Sequence, residues 1–278
     1  MTKADVIFQK AIAKILTEGC LDENPRPKYK DDTPAHTLFI TQHYEEYDLN
    51  KGEFPITTLR PLSLEKFIGE ILWIYQDQSN DLELLESKYG VTWWKDWDIG
   101  DRTIGQRYGV IVRNYKLVDQ LIEQLKTNPF GRDKILDLWQ YADMRSSKGL
   151  PSCAFQTIWS VRRYQGELYL DCTLTQRSSD FLVAGVGINQ MQYVAFQMAI
   201  AHEVGMKVGK FARFTQNLHI YDRHIEQAKE MLKREPSKKQ PKLILNAEGK
   251  GFYDIEVSDF RLIDYEPCLP QLKFELGI

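Results

Sequence analysis

An α+β sheet protein is the fold class that three features of the sequence predict. Helical and strand periodicities are mixed along the chain without the strict strand-helix-strand rhythm of a doubly wound fold. Two strand-like runs meet at a Gln165-Gly166 turn, the spacing of an antiparallel hairpin. Neither a P-loop nor a G-x-G-x-x-G fingerprint occurs, and no internal repeat or low-complexity tract is present.

The elements follow in order. Val6, Ile7, Ile12 and Leu16 space out an amphipathic helix over 4–18 that Gly19 stops. A polar, Pro-bearing loop over 22–34 precedes a strand over 37–42. Ser63 offers an N-cap to an apolar helix over 64–75, and a further helix is expected over 119–126. A strand over 134–139 and the hairpin of 154–162 with 167–175 come next. The stretch 193–204, long and poor in charge, reads as a central core helix. Residues 233–241 read as a basic, solvated connection, and 252–257 and 272–276 as short closing strands.

With 278 residues and no linker long enough to divide them, one domain spanning 1–278 is the expectation. Hydrophobic residues make up 43% and aromatic residues 12%, enough for a core that needs no staples. A net charge of −3 gives no general pull toward DNA, so an anionic ligand must be met by a local cluster. Cys20, Cys153, Cys172 and Cys268 form no C-x-x-C pair, the N-terminus lacks a signal-peptide layout, and no apolar run approaches the roughly 18 residues of a membrane span. A reducing cytoplasm is the natural setting, with no metal centre.

Individual side chains leave two readings each. Cys153, opening a strand, is either inert packing or a nucleophile. Glu70, inside an apolar helix, is an arginine's partner or a carboxylate whose raised pKa lets it move protons. Trp94 and Trp97 are core or the flat walls of a ligand pocket. His219 and Tyr221 alternate along one strand face, reaching a common ligand unless the histidine is structural. Asn189 caps a helix or reads a ligand edge, and Arg177 either pairs with Asp180 on the surface or holds an anion.

Several segments, taken together, reduce this ambiguity. Leu150-Pro151-Ser152-Cys153 is followed by Gln176-Arg177-Ser178-Ser179-Asp180, then by Gly187 to Tyr193 and by His219-Ile220-Tyr221-Asp222-Arg223-His224. Thr33 to Thr37, Gly69 to Trp73, Val91 to Trp97, Phe252 to Tyr265 and the terminal Leu276-Gly277-Ile278 extend the pattern over nearly the whole chain. In order and spacing the sequence resembles the thymidylate synthase family, in its bacterial and phage branch. The resemblance implies a three-layer α+β fold around a mixed, mostly antiparallel sheet, and a homodimer whose sheets pack face to face.

It also implies roles. Cys153 is the nucleophile that adds to C6 of a pyrimidine, with Arg177 favouring its thiolate and, with Arg26, Gln176 and Ser178, holding the nucleotide. Asn189 matches the amide that reads uracil, His219 and Tyr221 two donors to the sugar hydroxyl, and Glu70 and Tyr108 the groups that handle protons. Trp94, Trp97 and Asp180 match the pterin pocket, Arg60 the folate tail contact, and Ile278 the end that closes over bound ligands. The implied substrates are dUMP and 5,10-methylenetetrahydrofolate.

The chain departs from the family pattern at several points. Two adjacent arginines that cross the dimer to the partner's phosphate read Arg132-Asp133 here. A carboxylate roughly 6 Å from one phosphate charge costs on the order of 3 kcal/mol at an effective dielectric of about 20, so Asp133 either turns away or the site is rebuilt, with Lys134 as a replacement if a bulge reorients it. Ala154 follows the cysteine where many relatives have His, Ile158 stands for Gln, Gln216-Asn217 stands for Gly-Asp, and one residue is inserted between Asp180 and Asn189. Three functions remain open at this level: methylation of dUMP to dTMP, hydroxymethylation of the same ring with water, and a silent nucleotide- or RNA-binding relic.

Overall fold

In the computed structural model, which describes residues 1–278, the first helix α1 (Lys3–Glu18) starts at Thr2, whose hydroxyl accepts the Asp5 N–H, and ends at Gly19. A two-residue strand β1 (Cys20–Leu21) then pairs with β2 (Thr37–Asp48). Helices α2 (Leu64–Tyr75) and α3 (Leu82–Tyr89) follow, then α4 (Gly109–Asn114) and α5 (Leu117–Thr127). After β3 (Ile135–Asp137) and the short α6 (Tyr141–Ser146) comes the hairpin β4 (Ala154–Tyr164) and β5 (Glu167–Gln176), turning at Gln165-Gly166 as expected. Two-residue β6 (Ser179–Asp180), α7 (Ile188–Glu203), β7 (Lys207–Tyr221), α8 (Ile225–Lys233), β8 (Lys242–Leu245) and β9 (Phe260–Ile263) complete the chain.

The main sheet has seven strands in the order β1-β2-β7-β5-β4-β3, with β6 also on β7. β5 and β6 run parallel to β7 and every other pairing is antiparallel, so the expected mixed, mostly antiparallel α+β fold is present. The parallel β5–β7 link needs a crossover, and α7 supplies it, packing on both strands. α1 packs on β2, and α2 on α7. One contiguous core of 54 buried residues joins these layers, with Trp73, Trp159, Phe8 and Phe181 among its largest members. No helix is long and apolar enough to cross a membrane.

Several boundaries differ from expectation. β2 runs to Asp48 rather than stopping near 42, although Gln42 itself takes a positive φ of 58° and drops out of the ladder. The helix expected from 193 begins at Ile188. Residues 252–257 contain 3-10 turns, not a strand, and 272–276 pair with nothing in a sheet; the closing strands are β8 and β9, which pair with each other. Ser63 precedes α2 but makes no side-chain capping bond.

Candidate active site

Cys153 stands immediately before β4, where a register irregularity between Ala154 and Gln156 re-aims the strand start. Arg177 follows β5 on the neighbouring strand, and its Nη2 lies 3.3 Å from Cys153 Sγ. Backbone carbonyls fix that guanidinium: Nη2 donates to Pro151 O at 2.7 Å and Nε to Ser152 O at 3.2 Å. Arg177 is therefore committed to the cysteine loop and not to a surface pair with Asp180. The thiol is nonetheless not the low-pKa group that the sequence leads one to expect. Burial pushes it above the ordinary cysteine value, and the charges of Arg177 and Arg26 pull it only part of the way back.

The Tyr108 hydroxyl accepts the Cys153 backbone N–H at 3.1 Å. Its backbone sits at φ 48°, ψ −111°, a strained conformation for a non-glycine residue that the entry to α4 imposes. The strain is compatible with a side chain that must point at one place.

A second group of side chains lies deeper. Gln176 Nε2 donates to Asn189 Oδ1 at 3.1 Å, Asn189 Nδ2 to Gln192 Oε1 at 3.2 Å, and Gln192 Nε2 to Glu70 Oε2 at 2.5 Å. Glu70 also accepts the Trp94 and Trp93 indole N–H groups. Burial raises the Glu70 pKa, and these three donors oppose the rise. The N-cap of α7 is Gly187, not Asn189, which leaves the asparagine side chain free for this network. Gly187 is required by space as well as by its φ of 123°, because a Cβ there lies 2.9 Å from Ile56 Cα.

At the β6–β7 end, Asp180 and His219 are register partners. Enclosure raises the Asp180 carboxyl to about 7 and lowers His219 to about 4. His219 Nδ1 donates to Asn217 Oδ1 at 2.9 Å, so in its neutral form Nε2 is an acceptor. His219 therefore presents an acceptor beside the Tyr221 hydroxyl, where the sequence leads one to expect a second donor. Arg60 is buried, donates to Leu182 O at 2.9 Å and Val183 O at 2.7 Å, and faces the Phe274 ring at 5.1 Å.

All these groups open on one cavity of about 970 Å³, whose walls include Trp93, Trp94, Trp97, Phe274, Leu276 and Gly277. A larger groove of about 1250 Å³ along α2 and β9 holds none of them. The thymidylate synthase family model matches residues 6–278. Thymidylate synthases of Streptococcus pneumoniae and Streptococcus gordonii are 56% identical over 280 residues, covering 100% of this chain and 100% of theirs. Among solved structures, the thermostable thymidylate synthase A from Bacillus subtilis is similar with a TM-score of 0.89 and 34% identity, over 100% of both chains.

This chain belongs to the thymidylate synthase family. Against that family's pattern, the cavity brings together Cys153, Glu70, Tyr108, Arg177, Asn189, Arg26, Gln176, Ser178, His219, Tyr221, Arg60, Trp94, Trp97 and Asp180. Arg132 is not among them: it and Asp133 are exposed after α5. Lys134 does not take the place of the missing arginine, because it is fully buried with its Nζ donating to Gly131 O at 2.8 Å. Ile278 also stays off the cavity wall, exchanging backbone hydrogen bonds of 2.9 Å with Lys28, while Phe274, Leu276 and Gly277 face inward.

Other departures from the thymidylate synthase family pattern have local explanations. The stretch between Asp180 and Asn189, where an extra residue is expected, contains a π-helical turn, Phe181–Gly185, a form that accommodates one residue more than an α-turn. Ala154 is buried, and Ile158 is exposed beside its sheet neighbour Ile135. Sequence reasoning did not single out Trp93, Gln192 or His224. All three could have been flagged by sharing motifs with Trp94, Asn189 and His219; His224 Nε2 donates to Glu275 O at 2.7 Å.

Proposed function

We propose that the chain is a folate-dependent methyltransferase that converts dUMP to dTMP with 5,10-methylenetetrahydrofolate and releases dihydrofolate. The observation that carries this reading is the approach of Cys153 Sγ to Arg177 Nη2 at 3.3 Å on the wall of the cavity that Asn189, Glu70 and the tryptophans share. Arg26 and Arg177 hold the nucleotide phosphate, with Gln176 and Ser178 beside them. Asn189 pairs with the uracil edge, and His219 and Tyr221 hold the sugar hydroxyl.

Cys153 gives its proton to solvent and adds as thiolate to C6 of the uracil; the C5–C6 electron pair moves to C5 and O4, so that C5 can bond the one-carbon unit of the folate before losing its own proton. The folate, when bound, supplies the one-carbon unit and the hydride that reduces it. Its pterin fits against the Trp94 and Trp97 indoles, with ring centroids 5.5 Å apart, and beside the Asp180 carboxyl, whose Oδ2 is not used by the protein within hydrogen-bonding distance. Glu70 stores and returns protons near the C4 edge through the amide network. The Tyr108 hydroxyl, beside Cys153, assists loss of the C5 proton, and departure of Sγ from C6 regenerates the enzyme. Arg60 anchors the turn under the folate and the tail ending in Ile278 closes the cavity.

The catalytic unit is the single domain 1–278, cytoplasmic, working as a homodimer through the sheet face that carries Ile135, Ile158 and Tyr44, all exposed in one chain. Across that interface Arg132 reaches the neighbouring nucleotide phosphate. The test is to supply dUMP and methylenetetrahydrofolate and follow dihydrofolate absorbance together with dTMP. Both appear with the native chain, and neither with Cys153→Ser. A modified nucleotide formed without dihydrofolate overturns the reading.

A further inference from the structure

The buried pair Glu45 and Arg213 stands behind the nucleotide site and takes no part in the chemistry above. The two are direct register partners on β2 and β7, and both side chains are fully enclosed. Arg213 Nε contacts Glu45 Oε1; Tyr47 Oη donates to Glu45 Oε2 at 2.5 Å, and Gln190 Nε2 donates to Oε1 at 3.0 Å. Arg213 Nη2 donates to Gly185 O at 3.1 Å, and Nη1 donates to Gln176 Oε1 at 3.1 Å.

That last bond sets a polarity. A guanidinium can only donate, so the Gln176 atom facing Arg213 must be the carbonyl oxygen. The Gln176 amide nitrogen then faces Asn189, and its partner there must be Oδ1. The chain is fixed independently at its far end, because Gln192 Nε2 donates to the Phe67 carbonyl at 3.2 Å as well as to Glu70. Both ends require the same Asn189 orientation: Oδ1 toward Gln176, Nδ2 toward Gln192.

Resting on the reading of Asn189 as the base-recognising amide, we infer that Arg213, held by Glu45, is a positioning residue that sets the preference for uracil over cytosine. In the observed orientation Asn189 offers an acceptor to a uracil N3–H and its second amide hydrogen to O4. Cytosine presents the opposite pattern, an acceptor at N3 and a donor at C4. To satisfy it, Asn189 must flip, which sets donor against donor at Gln176 and acceptor against acceptor at Gln192. Arg213 prevents Gln176 from turning to relieve the first clash. With Arg213 gone, Gln176 turns freely and only the Gln192 end still resists.

The variant pair Glu45→Gln with Arg213→Met removes both buried charges at similar volume, so no ion is left unpaired. Dissociation constants for dUMP and dCMP are measured on the intact protein, with thermal unfolding as the check of folding. The expected result is a preference for dUMP reduced roughly tenfold, the worth of one such contact. Arg213→Lys, which keeps a donor for Gln176 and a charge for Glu45, retains most of the native ratio. If the Met-bearing pair does not fold, Glu45→Gln with Arg213→Gln replaces it, since a glutamine offers either polarity to Gln176; the same fall is required.

An unchanged ratio in a folded variant, or equal weakening of both nucleotides, overturns the inference. Asn189→Asp in the native background separates the two levels of the argument. If that change leaves dCMP excluded, the base-reading role itself is wrong; if it admits dCMP while the Arg213 variants do not, only the role of Arg213 falls.

Discussion

At the scale of single residues, the decisive quantity is the charge state of Cys153. Enclosure raises its pKa and two arginines oppose that without overcoming it, so the resting sulfur is a thiol. In a background where the accessible Cys20 and Cys268 are replaced by serine, alkylation of Cys153 is expected to keep accelerating past pH 9. Arg26→Ala pushes the profile higher still, because it removes one of the two stabilising charges. Mass spectrometry of the Cys153 peptide against pH checks this, and a plateau below pH 8 refutes it. On the proposed role of Arg26 at the nucleotide phosphate, Arg26→Ala also removes a charge-assisted contact worth about 1.5–3 kcal/mol, and should raise KM for dUMP by roughly 10- to 100-fold with kcat less affected.

At the scale of elements, legibility tracked how locally each side chain's reasons lie. The hairpin, α1 and the 64–75 helix could be read because a Gly, a turn pair or an apolar period is visible in the sequence itself. β2 could not be followed past Gln42 because its inward positions include Glu45, a charge that reads as solvent-facing until Arg213 is found opposite it. The closing strands failed for the converse reason: 272–276 has an apolar pattern but no strand beside it, and is instead a strap. The residues around the cavity were legible from motifs; that Trp93 and Gln192 bond to Glu70 was not, since a 3-10 turn and a helix meet there only in space.

Besides His224 and Gln227, whose Nε2 atoms donate to Glu275 O and Lys273 O, and the Lys28–Ile278 backbone bonds, the strap is clasped by Arg223. Arg223 Nη1 pairs with Glu275 Oε2 at 2.8 Å, Nη2 with Asp31 Oδ2 at 2.7 Å and Thr33 Oγ1 at 2.8 Å, and the guanidinium lies 3.9 Å from the Tyr29 ring centroid. It thereby ties the C-terminal tail to the loop that carries Arg26. Gly277 completes the seat, since a Cβ there lies 2.7 Å from Ala35 and 2.8 Å from Tyr221. Arg223→Ala is expected to speed carboxypeptidase release of Ile278 several-fold and to lower kcat/KM. High salt acts in the same direction on the native chain, because these ion pairs are exposed enough to be screened. Release rates indifferent to both changes count against the clasp.

At the scale of the whole molecule, the cavity pushes its titratable groups toward their neutral forms: Cys153, Glu70 and Asp180 are raised, and His219 is lowered. Arg26 and Arg177 remain as fixed positive charges on the cavity wall, with Asp22 and Arg60 also on the lining, a net positive balance that suits an anionic ligand. The same pattern has a signature in stability. The Asp180 carboxyl is raised from 3.8 to about 7, so between those values the folded chain holds a proton that the unfolded chain has lost. Its stabilising effect is complete below pH 3.8 and lost as pH rises through 7. His219, lowered from 6.5 to about 4, acts oppositely: its stability is present above pH 6.5 and lost as pH falls through 4.

From pH 4 to 6.5 the two slopes offset, each integrating to about 3 kcal/mol over that window. Asp180→Asn removes one slope and leaves the other. Urea unfolding of the two proteins from pH 4 to 8 should show the variant gaining on the native chain as pH rises, by roughly 3–4 kcal/mol in all, and levelling above pH 7. Taking the difference between the curves cancels every other carboxylate. A difference that does not change with pH would mean that Asp180 is ionised in the folded state, and that the end of the cavity facing it is not the low-dielectric pocket that the enclosed carboxyl and the neutral His219 describe.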